Sequence, residues 1–169
     1  MPESHRADEA FQSTASVAAR HDPGKAGRCV MTISPSSEQV GADAPDAARL
    51  IALAERYFAA VDCMDLAATL ACFTPDACFT IATYDTLYEG RDQGLKAMYE
   101  RLFARYTKVW HGNFDHVPQP PQRIASRFRV ENTGLNGQLQ VKNNCNFFRL
   151  RGELFDEVFV YMSGENSLR

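Results

Sequence analysis

Apolar positions change their spacing along this chain, and the changes mark its elements. From Pro45, the residues Leu50, Leu53, Ala54, Tyr57, Phe58 and Val61 recur at i, i+3, i+4, i+7, i+8 and i+11. That is the period of an amphipathic helix, opened by Pro45 with Asp46 in its first turn and Tyr57 on its buried stripe. After a break at Asp62-Cys63-Met64, Asp65 is placed to cap a second, short helix on which Leu66, Thr69, Leu70 and Phe73 share a face until Pro75 stops it. An extended piece follows around Cys78 to Thr83. A third helix, about Arg91 to Tyr106, carries Leu95, Met98, Leu102 and Phe103 on one side and charges on the other.

From Val109 onward the period falls to about two. β-Branched and aromatic residues are interrupted at Pro118, Pro120-Pro121, Asn132-Thr133-Gly134, Asn136-Gly137 and Arg151-Gly152, which predicts four strands in a meander. Three N-terminal helices followed by an antiparallel sheet make an α+β plan, in which the helices pack on one face of a curved sheet that can enclose a pocket.

The first quarter shows no sustained period. Of 11 Phe, 6 Tyr and one Trp, only Phe11 lies within residues 1–45, and the stretch is rich in Ser, Ala, Gly, Pro, Asp and Glu. Such a composition cannot offset its ordering entropy, so residues 1–44 are expected to be a disordered or loosely packed extension of a domain spanning 45–169. Met31, followed by the polar Thr-Ile-Ser-Pro-Ser-Ser stretch, reads as a candidate alternative translation start, which the sequence alone does not decide. At 169 residues the chain suits one domain with a real core and no need of staples.

Charge narrows the partners. There are 18 Lys+Arg against 21 Asp+Glu, a net charge of −3, and no long basic run, so nucleic acid is not expected as a partner. No apolar run approaches the ~20 residues of a membrane helix, and the N-terminus lacks an apolar signal segment; a cytoplasmic protein with a small-molecule partner is expected. The five cysteines, Cys29, Cys63, Cys72, Cys78 and Cys145, are odd in number and show no zinc-ligand spacing. They read as reduced thiols, and neither a metal nor another cofactor is expected.

Two strands carry the polar residues of interest. In Val109-Trp110-His111-Gly112-Asn113-Phe114-Asp115-His116-Val117, alternation puts 111, 113, 115 and 117 on one face and Trp110, Phe114 and His116 on the other. Either His111 faces the pocket with Asp115, or His116 does, and a one-residue bulge inverts the answer. A metal site of His111, Asp115 and His116 is disfavoured by the opposite parity of 115 and 116. In Val141-Lys142-Asn143-Asn144-Cys145-Asn146-Phe147-Phe148, the residues Asn144, Asn146 and Phe148 share a face. Asn is disfavoured inside strands unless its amide has partners, here a ligand or the backbone of a turn.

The runs Arg56-Tyr57-Phe58-Ala59-Ala60-Val61-Asp62, Cys72-Phe73-Thr74-Pro75-Asp76-Ala77 and Tyr88-Glu89-Gly90-Arg91-Asp92 resemble the SnoaL-like branch of the nuclear transport factor 2-like superfamily over about residues 46–165. The resemblance implies a cone-shaped α+β barrel, a fold shared by ketosteroid isomerases, scytalone and bile-acid dehydratases, epoxide hydrolases, polyketide cyclases and non-catalytic subunits. It places Tyr57, Asp62 and His111 where dehydratase-like members have a pocket Tyr, Asp and His. It also puts Asn146 at the oxyanion-hole position of ketosteroid isomerases, and Asn144 at a substrate-binding Asn of scytalone-type dehydratases. The isomerases' proton-shuttling carboxylate aligns with Ile81, so their mechanism does not carry over; Tyr84 is close enough for a shifted strand to present it to substrate.

In the chemistry this implies, His111 is a general base oriented by Asp62, and Tyr57 a proton donor. Asn144 and Asn146 are oxygen ligands, and Asp115, Tyr84 and Phe148 contact substrate. Dehydration or double-bond isomerisation of a hydroxylated or carbonyl-bearing cyclic, polyketide-like or steroid-like molecule is the expected reaction. The alternative is a non-catalytic ligand-binding or accessory subunit in which Tyr57 is a core residue, Asp62 a solvent residue and His111 an edge histidine. In either class, Phe155, Phe159 and Tyr161 against Leu154, Val158, Val160 and Met162 make the last strand apolar on both faces. A homodimer is the expected second cover.

Overall fold

A computed structural model describes residues 39–169, with side chains from Asp46. The expected extension at residues 1–44 lies almost wholly outside the described residues. Helix α1 (Gln39–Asp62) begins before Pro45, so Pro45 sits inside the helix rather than at its first turn. The ring lacks only one N–H, and the apolar stripe beyond it sustains the helix: Leu50, Leu53, Ala54, Tyr57, Phe58 and Val61 are all buried. Helix α2 (Leu66–Leu70) is capped by Asp65, whose Oδ1 accepts from the Ala68 N–H at 2.9 Å.

The chain turns extended earlier than Pro75. Strand β1 (Phe73–Ile81) contains that proline at a register irregularity between Phe73 and Cys78, where a missing N–H breaks no regular ladder. Strand β2 (Thr86–Glu89) returns antiparallel to β1. A wide helical turn over Gly90–Leu95 precedes α3 (Lys96–Arg105). Then come β3 (Tyr106–Gln119), β4 (Arg123–Gly134), β5 (Leu139–Arg151) and β6 (Leu154–Met162).

The four-strand meander is thus part of a six-stranded sheet in the order β2-β1-β6-β5-β4-β3, curved and unclosed. One pairing departs from the antiparallel expectation: β1 runs parallel to β6. A parallel neighbour needs a long crossover, and everything from β2 to β5 supplies it. On β4 and β5 the even-numbered side chains, from Ile124 to Asn132 and from Lys142 to Leu150, face inward; all are buried. Asn132, expected at a turn, is on this inner face of β4, because the turn lies beyond Gly134, where Gly137 N–H bonds the Gly134 carbonyl at 2.9 Å.

Candidate active site

Asp62 is the last residue of α1, and α1 has no basic residue in its final turn. A carboxylate at the negative end of a helix dipole is disfavoured, so its hold comes from elsewhere. His111 engages both oxygens: Nδ1 lies 2.6 Å from Oδ1, and the backbone N–H donates to Oδ2 at 3.0 Å. The two side chains are 12% and 23% exposed for His111 and Asp62. With Nδ1 turned to the carboxylate, Nε2 is the nitrogen left for another partner.

Strand β3 settles which histidine faces inward by making both do so. Gly112 pairs with Arg129 but Asp115 pairs with Arg127, one extra residue on β3, and Asn113 takes up the left-handed backbone there (φ 55°). His111, opposite Val130, and His116, opposite Ser126, therefore share the inner face despite their odd spacing. His116 Nδ1 lies 2.8 Å from Ser126 Oγ, and Glu55 stands 3.9 Å from its Nε2. Burial pushes the His116 imidazole below its ordinary range, against the pull of the Glu55 and Asp115 carboxylates.

The bulge also moves Asp115 out. Its carboxylate is exposed and pairs with Arg127 at 3.3 Å on the outer face, which corrects the expectation that it contacts substrate. Tyr84 is likewise not in the cavity: half-exposed, it donates to the Gly164 carbonyl at the rim, because the turn after β1 carries it past the sheet. Phe148 is buried beneath the site, its ring 5.8 Å from Tyr57, 6.0 Å from Phe58 and 4.7 Å from Phe155, so it supports Tyr57 rather than lining the cavity. Among the described residues no group of three or more His, Cys, Asp or Glu is placed to hold a metal.

Tyr57, His111, Asn144 and Asn146 come together around one cavity inside the cone, with Phe58, Phe79, Phe128 and Leu102 as apolar walls. Its volume is about 40 Å³, room for a water or two. The Tyr57 hydroxyl lies 2.8 Å from that of Tyr99, which sequence reasoning missed although Tyr99 follows Leu95 by one helical turn. Burial raises both phenols well above the ordinary tyrosine range. Asn132 is a further cavity residue, legible only from its parity with Phe128 and Val130. The side-chain carbonyls of Asn132, Asn144 and Asn146 are all buried without a hydrogen-bond partner among the described residues. Amides are rarely left so in a core.

Residues 54–158 match the family described as the SnoaL-like domain. Among solved structures, the chain is similar to a candidate polyketide cyclase from Xanthomonas campestris pv. campestris, with TM-score 0.62, 19% identity, and coverage of 69% of this chain and 91% of that one. It is also similar to a protein with a ketosteroid isomerase-like fold from Catenulispora acidiphila, at TM-score 0.60, 14% identity, and coverage of 69% and 88%. A candidate aromatic ring hydroxylase from Novosphingobium aromaticivorans gives TM-score 0.59, 23% identity, and coverage of 72% and 91%. No curated protein matches the chain in sequence. Likeness at these identities establishes the fold, and the fold does not fix the chemistry.

Proposed function

The chain belongs to the SnoaL-like domain family, and on that footing we propose that it is a cofactor-independent acid/base enzyme, a dehydratase or double-bond isomerase acting on a cyclic, carbonyl-bearing molecule. The carrying observation is the Asp62–His111 pair, 2.6 Å apart, with His111 at the wall of the cavity inside the cone. Asp62 accepts from Nδ1–H, which makes Nε2 the basic nitrogen and stabilises the imidazolium formed when it takes a proton. That proton comes from the carbon next to a carbonyl. Charge then develops on the carbonyl oxygen, where a phenol and the amide N–H groups of Asn144 and Asn146 can donate.

The raised phenols refine the role of Tyr57. A phenol so reluctant to ionise donates a hydrogen bond without giving up its proton. In dehydration, the proton on His111 passes to the departing hydroxyl, the C–O bond breaks, and the products are water and a conjugated enone. In isomerisation the same proton returns to the γ-carbon. Both reactions are read at the absorbance of the enone.

The test is a panel of cyclic β-hydroxy ketones and β,γ-unsaturated ketones, with enone formation followed for the wild type and His111→Ala. Turnover that falls at least ~100-fold in the variant supports the reading. Turnover equal in both, or none with any ketone that binds, rejects it and leaves the binding-module alternative. The half-exposed rings of Phe147, Phe159 and Tyr161 on the outer sheet face further support a homodimer as the working form.

A further inference from the structure

Lys142 has no part in the chemistry above, yet it faces inward on β5, on the same side as Asn144 and Asn146, and is 5% exposed. A buried ammonium ordinarily has a carboxylate partner. Among the described residues Lys142 forms no ion pair; its Nζ donates to a main-chain carbonyl, that of Glu165. It also stands in one cross-strand row with the candidate base. His111 pairs with Val130, and Val130 with Lys142. Two strand spacings put their backbones roughly 10 Å apart.

The group on Lys142 is part of a plug. Residues Ser163–Arg169 follow β6 without helix or strand, and Ser167 and Leu168 line the cavity. The plug is held largely through its own carbonyls: Gly164 accepts from Tyr84, Leu168 from Tyr88 at 2.8 Å, and Glu165 from Lys142. With it seated, the cavity of about 40 Å³ admits no cyclic substrate. Displacing the plug would enlarge the cavity, and in doing so would take the Glu165 carbonyl off Lys142. An anionic oxygen is the better acceptor for an ammonium than the neutral carbonyl it replaces.

We propose that Lys142, which stands behind the plug and does not line the cavity while the plug is seated, becomes its anion-binding residue once the plug leaves, and that the ligand is a cyclic molecule bearing a carboxylate, which unseats Ser163–Arg169 by replacing the Glu165 carbonyl. A carboxylate is favoured over a phosphate because a lone ammonium matches a single negative charge, and among the described residues no Lys or Arg lines the cavity while the plug is seated. The inference rests on the small-molecule reading of the cavity and names the substrate class it takes.

Two fluorescent probes separate the two ideas: 2-naphthol, and 6-hydroxy-2-naphthoate, whose hydroxyl and carboxylate stand at opposite ends of its long axis. The wild type is expected to bind the carboxylate probe at least ~10-fold more tightly, the scale of one charge-assisted hydrogen bond. Lys142→Met should erase that preference while keeping the affinity for 2-naphthol, which also shows that the variant is folded; Lys142→Arg should retain most of it. Binding of the carboxylate probe should speed amide exchange across Ser163–Arg169. Equal affinity for both probes in the wild type, a preference that survives in Lys142→Met, or slower exchange of the plug each overturns the proposal and leaves the pocket reading intact. Failure of the wild type to bind either probe removes both.

Discussion

The hydroxyls of Tyr57, on α1, and Tyr99, on α3, lie 2.8 Å apart and are fully buried. They share one hydrogen bond and carry two protons, so one O–H remains to donate elsewhere, and the cavity that both rings line is where it can go. The pair joins two helices and at the same time arms the site with a donor.

Because burial raises both phenols, neither should ionise in the working range. The rate of the proposed reaction is expected to show no falling limb near pH 10, the ordinary value for tyrosine. A limb near that pH that vanishes in Tyr57→Phe contradicts the assignment. Stability has the opposite sign. Above about pH 10 the unfolded chain loses phenolic protons that the folded chain keeps, so stability should fall as pH rises there, and less steeply in Tyr99→Phe.

His116 should make the protein less stable toward acid. Its folded value is depressed, so below about pH 6.5 the unfolded state binds a proton that the folded state resists, and stability falls as pH drops through that value. His116→Asn retains a group able to meet Ser126 and should flatten the dependence between about pH 5 and 7 in thermal melts. An unchanged slope contradicts this.

Gly112 has a steric reason to be glycine. A Cβ there would lie 2.2 Å from Cζ2 of Trp110, whose ring lies across the Gly112 backbone beside the bulge. Gly112→Ala is expected to destabilise by about 1–3 kcal/mol, because the ring must move. Since Gly112 directly follows His111 on β3, a shift there reaches the candidate base, and activity should fall more than stability alone explains. A melting temperature equal to that of the wild type contradicts the packing described.

The outer face gives the oligomer prediction. Phe147, Phe159 and Tyr161 are 50%, 41% and 49% exposed, and the rings of Phe147 and Tyr161 pack edge to face at 5.8 Å. Light scattering is expected to report a dimer, with Phe159→Asp shifting it to monomer. A wild-type monomer at micromolar concentration contradicts the proposal.

How much of this could be read from the chain depends on the range of the interaction. The helical stripe of α1, the Asp65 cap and the alternation of β5 are local, and each matches the structure. The Tyr57, Asp62 and His111 spacing was legible through family resemblance, and the structure joins Asp62 to His111. Asp115 was misplaced because alternation across β3 assumes no bulge, and nothing local announces that Asn113 takes a positive φ. Tyr84 was misplaced for a similar reason, a turn whose path the sequence does not encode. The β1–β6 pairing and the plug were invisible because both join segments about 80 residues apart, where pattern carries no register.

The central claim, that Asp62 holds His111 with Nε2 as the free basic nitrogen, is tested most directly by ¹⁵N NMR of the His111 ring in its neutral form. The account predicts the proton on Nδ1 and an unprotonated Nε2, with that preference lost in Asp62→Ala. A proton on Nε2, or a tautomer mixture like that of a free imidazole, contradicts it.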